Sequence, residues 1–345
     1  MVLLISCDSG KYEIEGTVEN LSDPTLFAVY ESLDGNEVDT IICDQNGRFV
    51  TTHEQNNNLR VITFYYNKRE QWFTVYPEEG KKIQVMGDAE YPQLMQVKGG
   101  HTNNKLSQFK RKATVLLKDM DALAKDAPTP ERTTQMSNIK HELKRIVRNF
   151  IEDNAAEEAS AILISEYFTN PEDMAQTEEL INLLSPELNN NYVVKLLKSQ
   201  VEKAKTTEIG AKAPDFRVTN IYGEVMTPDS FSNKHYILAF TASWCDLCKT
   251  EILLLDNLSM KYPADSLGIM LISLDDNIEE VRQMVLNDTI RWNLVTDSAG
   301  QAIDLFELYN VSSLPNCFFM DDRGIIRLRT ANGVELENTI DEIMR

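Results

Sequence analysis

Two cysteines at the foot of an apolar run constrain this chain more than any other feature. The stretch is Phe240-Thr241-Ala242-Ser243-Trp244-Cys245-Asp246-Leu247-Cys248-Lys249-Thr250-Glu251. The run Tyr236-Ile237-Leu238-Ala239-Phe240 leads into it, and Ile252-Leu253-Leu254-Leu255 with Leu258 leads out. A short apolar run followed by apolar residues at helical spacing reads as a buried strand feeding a helix. Cys245 then falls at or just before the first turn, and Cys248 one turn further on. Unpaired N–H groups and the positive end of the helix dipole face Cys245. Both favour a thiolate, so its pKa is expected well below that of a free thiol. A thiolate beside a second thiol suits disulfide exchange: Cys245 attacks a disulfide and Cys248 resolves the mixed disulfide. A closed zinc site needs four ligands. The remaining cysteines, Cys7, Cys43 and Cys317, form no second pair, and His53, His101, His141 and His235 show no ligand spacing. No metal is expected. A purely structural disulfide would need neither the tryptophan nor the strand-to-helix junction.

Trp244-Cys245-Asp246-Leu247-Cys248-Lys249 resembles the WCxxCK site of thioredoxin-like proteins, specifically TlpA/ResA-like envelope thiol-disulfide oxidoreductases. Glu251 stands where that family carries an active-site glutamate. Ile209-Gly210-Ala211-Lys212-Ala213-Pro214-Asp215-Phe216 resembles the start of the module, and Val311-Ser312-Ser313-Leu314-Pro315-Asn316-Cys317-Phe318-Phe319 resembles its cis-proline segment. The resemblance covers about residues 206–345. It implies a cis Pro315, with the backbone of Leu314 pairing with a substrate chain and Trp244 covering the site. It makes Cys245 the exposed nucleophile and Cys248 the buried resolving thiol. Ser313, Leu314 and Asn316 depart from the residues usual around the proline, which bears on substrate preference. No cofactor is implied beyond a redox-active Cys245–Cys248 disulfide.

Glu251 lies one turn past Cys248 on nearly the same face. A carboxylate partly buried beside a thiol has a raised pKa and can take up or return the resolving proton. A negative Asp246 opposes thiolate formation somewhat. Cys317, two residues past the proline on an apolar run, reads as a core residue, as does Cys43.

The length of 345 residues suggests two or three domains. Lys+Arg 34 against Asp+Glu 54 gives a net charge of −20, which argues against nucleic acid or an anionic membrane surface as electrostatic partners. Met1-Val2-Leu3-Leu4-Ile5-Ser6-Cys7 is too short to span a membrane and lacks a basic n-region. Leu4-Ile5-Ser6-Cys7 resembles the end of a bacterial lipoprotein signal, implying lipidation at Cys7, a tether over residues 1–10 and a cell-envelope or periplasmic location.

Residues 11–100 read as β. Tyr12-Glu13-Ile14-Glu15-Gly16-Thr17-Val18 alternates with period two, and turn signals at Asp34-Gly35-Asn36 and Asp44-Gln45-Asn46-Gly47 separate further strands. Roughly seven short strands suggest an antiparallel sandwich-like domain. Its pattern resembles a β-domain of unknown function that precedes thioredoxin modules in envelope proteins. Phe64-Tyr65-Tyr66 and Trp72-Phe73 read as core. Residues 101–205 read as a helical connector, with Leu106 to Leu123 at helical spacing and Thr129-Pro130 as a helix start. Residues 206–345 alternate strand and helix, an α/β unit with a thioredoxin fold and a mixed sheet. The expected architecture is multidomain, and the expected partners are oxidised protein thiols as substrates and an upstream thiol-disulfide electron donor. Two alternatives remain. One is a thiol peroxidase, weakened because Thr241 precedes Cys245 without the proline that site needs. The other is a non-enzymatic binding lipoprotein.

Overall fold

Period-two alternation at the N-terminus becomes strand, and the computed structural model describes residues 11–54, 58–125, 127, 129–171, 173–232, 234–282, 284 and 292–344. Cys7 lies outside the described residues. The chain falls into two compact units: one takes in the chain up to Phe168 with Glu179–Lys195, the other Thr169–Glu178 and everything from Leu196.

In the first unit, β1 (Lys11–Glu19), β2 (Thr25–Ser32), β3 (Gly35–Ile42), β4 (Arg48–Glu54), β5 (Leu59–Tyr66), β6 (Gln71–Val75), β7 (Lys82–Asp88) and β8 (Gln96–Lys98) form two four-stranded sheets among the described residues. Their orders are β4-β1-β7-β8 and β3-β2-β5-β6. Tyr12, Ile14, Val18, Val85, Ala28, Phe64 and Val75 from both sheets meet in one core. One pairing departs from the expected antiparallel pattern: β1 and β7 run parallel, with Ile14 opposite Ile83. A parallel pair needs a long crossover, and the entire second sheet supplies it. Local turn signals cannot reveal such a pairing. The Asp44–Gly47 turn closes as the sequence indicates, with Gly47 at φ 72 and its N–H donating to the Asp44 carbonyl at 3.0 Å. Phe64, Tyr66 and Phe73 are core, whereas Trp72 is exposed.

Helices follow: α1 (His101–Lys112), α2 (Thr114–Lys125), α3 (Pro130–Asp153), α4 (Glu158–Tyr167), α5 (Ala175–Leu183) and α6 (Tyr192–Lys205). Helix α1 closes the edge of β8, because the Ser107 hydroxyl donates to the Val97 carbonyl at 2.7 Å and accepts from its N–H at 2.9 Å. The periodic run over residues 106–123 is interrupted at Ala113. There the Thr114 hydroxyl bonds back to the carbonyls of Lys110 and Arg111, competing with the helical ladder. Helix α3 starts where the sequence indicates, the Thr129 side chain accepting from Arg132 N–H and Pro130 in the first turn.

In the second unit, the short β9 (Val218–Thr219) and β10 (Val225–Met226) form a hairpin. The main sheet uses β11 (His235–Thr241), β12 (Leu267–Ser273), β13 (Asn293–Val295), β14 (Asn316–Met320) and β15 (Ile326–Thr330). Its order is β13-β12-β11-β14-β15. The first three strands are mutually parallel, while β14 and β15 are antiparallel to their neighbours. Helices α7 (Asp246–Lys261), α8 (Ile278–Arg282), α9 (Gln301–Leu308) and α10 (Gly333–Ile343) complete the α/β unit. One sheet face packs Ile237, Ala239, Cys317 and Phe319 against Ile252 and Leu255 of α7 and Leu336 and Ile340 of α10. The other packs Leu238, Phe240 and Phe318 against Leu305 and Phe306 of α9. Covering both faces explains the unbroken apolar run of β11. Residues 210–213 pair alongside β15 through Gly210 N–H to the Ile326 carbonyl and Ala213 N–H to the Gly324 carbonyl. Among the described residues no helix is long and apolar enough to cross a membrane.

Candidate active site

Strand β11 ends at Thr241, and four residues later Cys245 caps the start of α7. Cys245 is the N-cap: its backbone is extended (φ −91, ψ 103), and its sulfur accepts from the Cys248 N–H at 3.2 Å. Cys245 and Cys248 form a disulfide, with Cα atoms 5.3 Å apart. Cys248 is fully buried and Cys245 retains 8% exposure. The expected contrast between an exposed and a buried cysteine is therefore slight in the oxidised form. Trp244 is 69% exposed, and Leu247, on the other side of Cys245 in the chain, is 71% exposed.

The charge of Asp246 is not left to act on Cys245 alone. Its carboxylate accepts from Lys249 Nζ at 2.8 Å, which holds its pKa below the usual carboxylate range. The pair is solvent-exposed, so its energetic weight is small.

The Leu314–Pro315 bond is cis. The next residue, Asn316, pairs with Phe240 in the β14–β11 ladder, so Pro315 sits at the strand end from which the cysteine turn departs. Leu314 is half-buried against the apolar face that includes Phe240.

Glu251 is buried on the inner face of α7. Burial pushes its pKa up, and a hydrogen bond from Cys317 opposes the rise. Its carboxylate accepts from a thiol: Cys317 Sγ donates to Oε1 at 3.2 Å. Cys317 is a core residue of β14, as expected. Its thiol is pushed well above the ordinary range by burial, then by the charge of Glu251 and their hydrogen bond.

One residue escaped the sequence reading. Asp275, just past β12, is buried. Its carboxylate accepts from Ser243 N–H at 2.8 Å, Ser243 Oγ at 2.6 Å and Ser273 Oγ at 2.5 Å. It anchors the turn that presents Cys245. The Ser-x-Asp of Ser273-Leu274-Asp275 at a strand end was the available signal.

A disulfide capping a helix at the carboxyl end of a central strand, with a cis-proline at the same end of the sheet, defines a thioredoxin-like thiol-disulfide oxidoreductase domain. Consistent with that class, residues 209–329 match the AhpC/TSA family, and residues 12–106 match a domain of unknown function, DUF4369. The chain is similar to the thiol-disulfide oxidoreductase ResA of Bacillus cereus, at 25% identity over 150 residues, 44% of this chain and 84% of that one. It is similar to the thioredoxin-like protein YneN of Bacillus subtilis, at 26% identity over 152 residues, 42% of this chain and 86% of that one. Among solved structures, a thiol-disulfide oxidoreductase from Bacteroides fragilis superposes with a TM-score of 0.35 at 27% identity, covering 39% of this chain and 99% of that one.

Proposed function

We propose that this chain reduces disulfides in proteins of the cell envelope, using Cys245 as nucleophile and Cys248 as resolving thiol. The observation that carries the reading is the Cys245–Cys248 disulfide with Cys245 as the helix N-cap. On reduction, the Cys248 N–H and the helix N-terminus stabilise a Cys245 thiolate. That thiolate attacks one sulfur of a substrate disulfide, forms a mixed disulfide and releases the other substrate sulfur as thiolate. Cys248 gives its proton to the Glu251 carboxylate and attacks Cys245 Sγ. The second substrate sulfur leaves, and the internal disulfide is restored with two electrons transferred. Trp244 and Leu247 offer exposed apolar contact to the incoming chain, and Leu314 and Pro315 line the same strand end. An upstream dithiol donor regenerates the reduced form, and no further cofactor enters. A lipid on Cys7 would hold the protein at a membrane surface.

The test uses the reduced full chain and an oxidised protein whose free thiols are counted over time. Wild type releases two substrate thiols per chain. Cys245→Ser falls to the uncatalysed background, and Cys248→Ser accumulates a mixed disulfide. An equilibrium potential too oxidising to reduce ordinary structural disulfides, which lie below about −300 mV, would reverse the direction of electron flow. No exchangeable dithiol at all would sink the reading.

A further inference from the structure

We infer that Cys317 is a positioning residue for the proton-handling carboxylate of Glu251, setting the pH range over which Glu251 accepts a proton. The inference rests on the proposed role of Glu251 and gives a role to Cys317, which the sequence reads only as a core residue of the proline segment.

The geometry is specific. Glu251 reaches from α7 toward the sheet and Cys317 points up from β14, opposite Ala239 of β11. Both are buried, Cys317 completely. Cys317 Sγ donates to Oε1 at 3.2 Å, within the range for a sulfur donor. The other oxygen, Oε2, lies against the start of α10. A Cβ built on Gly333 would stand 3.2 Å from it, tighter than an ordinary contact. The carboxylate is therefore confined between a strand and a helix end, and the absence of a side chain at Gly333 makes room for it.

The surrounding charges leave Cys317 in control. Two causes act on Glu251: burial, which raises its pKa, and the Cys317 hydrogen bond, which lowers it. On α7 itself, Lys249 is engaged with Asp246 on the exposed side, and Cys248 carries no charge in the disulfide. On α10, Glu335 accepts from Thr330 Oγ1 at 2.5 Å. From β14 the only facing polar group among the described residues is the Cys317 thiol. That thiol stays protonated, because burial and the adjacent carboxylate both disfavour a thiolate. It is thus a permanent donor rather than a third redox sulfur.

A donor to the charged form favours that form. Cys317 therefore offsets part of the burial effect and keeps Glu251 available as a base at lower pH. Without the donor, Glu251 holds its proton to higher pH, and the acid limb of resolution moves upward.

The experiment has two readouts on the full chain. The first is the titration midpoint of the Glu251 carboxyl carbon, followed by 13C NMR in the oxidised protein. The second is the pH dependence of mixed-disulfide resolution in the reduced protein. Cys317→Val, close in shape but with no donor, is expected to raise both midpoints by roughly half a pH unit, about threefold in rate on the acid limb. Cys317→Ser, which keeps a donor, is expected to stay at or below the wild-type midpoint. Adding Cys317→Val to Glu251→Gln is expected to cause no further shift. Equal midpoints in wild type, Val and Ser variants would overturn the inference, as would a Ser variant that behaves like Val. If the wild-type chain shows no exchange, the functional reading fails, while the carboxyl titration still decides the role of Cys317. Cys317→Ala provides the same donor-free comparison should the Val variant fold poorly.

Discussion

Strands β12 and β3 show how differently the two units bury their chain. All seven residues of β12 are buried, whereas Ile41 is the only buried residue of the eight in β3. Helices cover both faces of the C-terminal sheet, so its central strands β11 and β12 read as near-continuous apolar runs. The N-terminal sheets share one inner face and leave Val38, Ile42, Val50, Trp72 and Met86 exposed on the other. The thiols follow the same division. Cys43, just past β3, is pushed up to about 11, mainly by burial and then by Asp44. It is a buried packing residue, and among the described residues its sulfur has no polar partner of the kind Cys317 finds in Glu251. Reactivity here does not come from a cysteine as such. It comes from a turn at a strand end that places a sulfur on helix N–H groups.

This comparison breaks if damage to one unit is read out in the other. The largest stability effect is expected at Gly47. A side chain there would meet the Val18 carbonyl oxygen at 2.0 Å, and the residue sits at φ +72. Gly47→Ala is expected to destabilise the N-terminal unit by about 3 kcal/mol, through strain at a left-handed position and a backbone clash. Denaturant unfolding of the full chain measures the loss. The exchange rate at Cys245 is expected to be unchanged, and a parallel fall in rate would show that the β-domain takes part in the chemistry.

Asp275 sharpens the other side. Asp275→Ala leaves the Ser243 N–H and the Ser243 and Ser273 hydroxyls without their acceptor. Charge-assisted bonds of this kind contribute about 1.5–3 kcal/mol each at most, so a net loss of about 2 kcal/mol is expected. Unlike Gly47→Ala, this change is expected to slow exchange, because it frees the turn that carries Cys245. A stability loss with no change in rate would mean that the turn holds its shape without Asp275.

The contacts of Asp275 and Cys317 mark the limit of what the sequence discloses. The cysteine turn is contiguous, so strand, cap and helix are legible together: the helix that the apolar spacing through Leu258 indicates is observed as Asp246–Lys261. The β-rich, helical and α/β succession is legible for the same reason, since each depends on local periodicity. Asp275 lies 32 residues from Ser243, and Cys317 lies 66 residues from Glu251. Both contacts exist only because β12 and β14 flank β11, and no local pattern carries strand order. The parallel pairing of β1 with β7 is hidden in the same way.

Glu251 carries the smallest expected effect and the one with a definite sign. Its folded pKa is raised by burial. The folded state therefore binds this proton more tightly than the unfolded chain. By linkage, stability falls as pH climbs from the ordinary carboxyl range through the raised value. The loss levels off above that value, at about 1.4 kcal/mol for each unit of elevation. Glu251→Gln removes the titration. In the oxidised chain, the variant is expected to melt higher than wild type at pH 8, and the gap is expected to close near pH 4, where both side chains are neutral. Exposed pairs such as Lys82 with Glu13 and Glu15 on the N-terminal sheet are screened by salt. The Glu251 step is buried and is expected to persist in 0.5 M salt. A gap independent of pH would mean that Gln alters packing rather than charge. A gap abolished by salt would mean that the carboxylate is more open to water than its contacts with Cys317 and Gly333 imply.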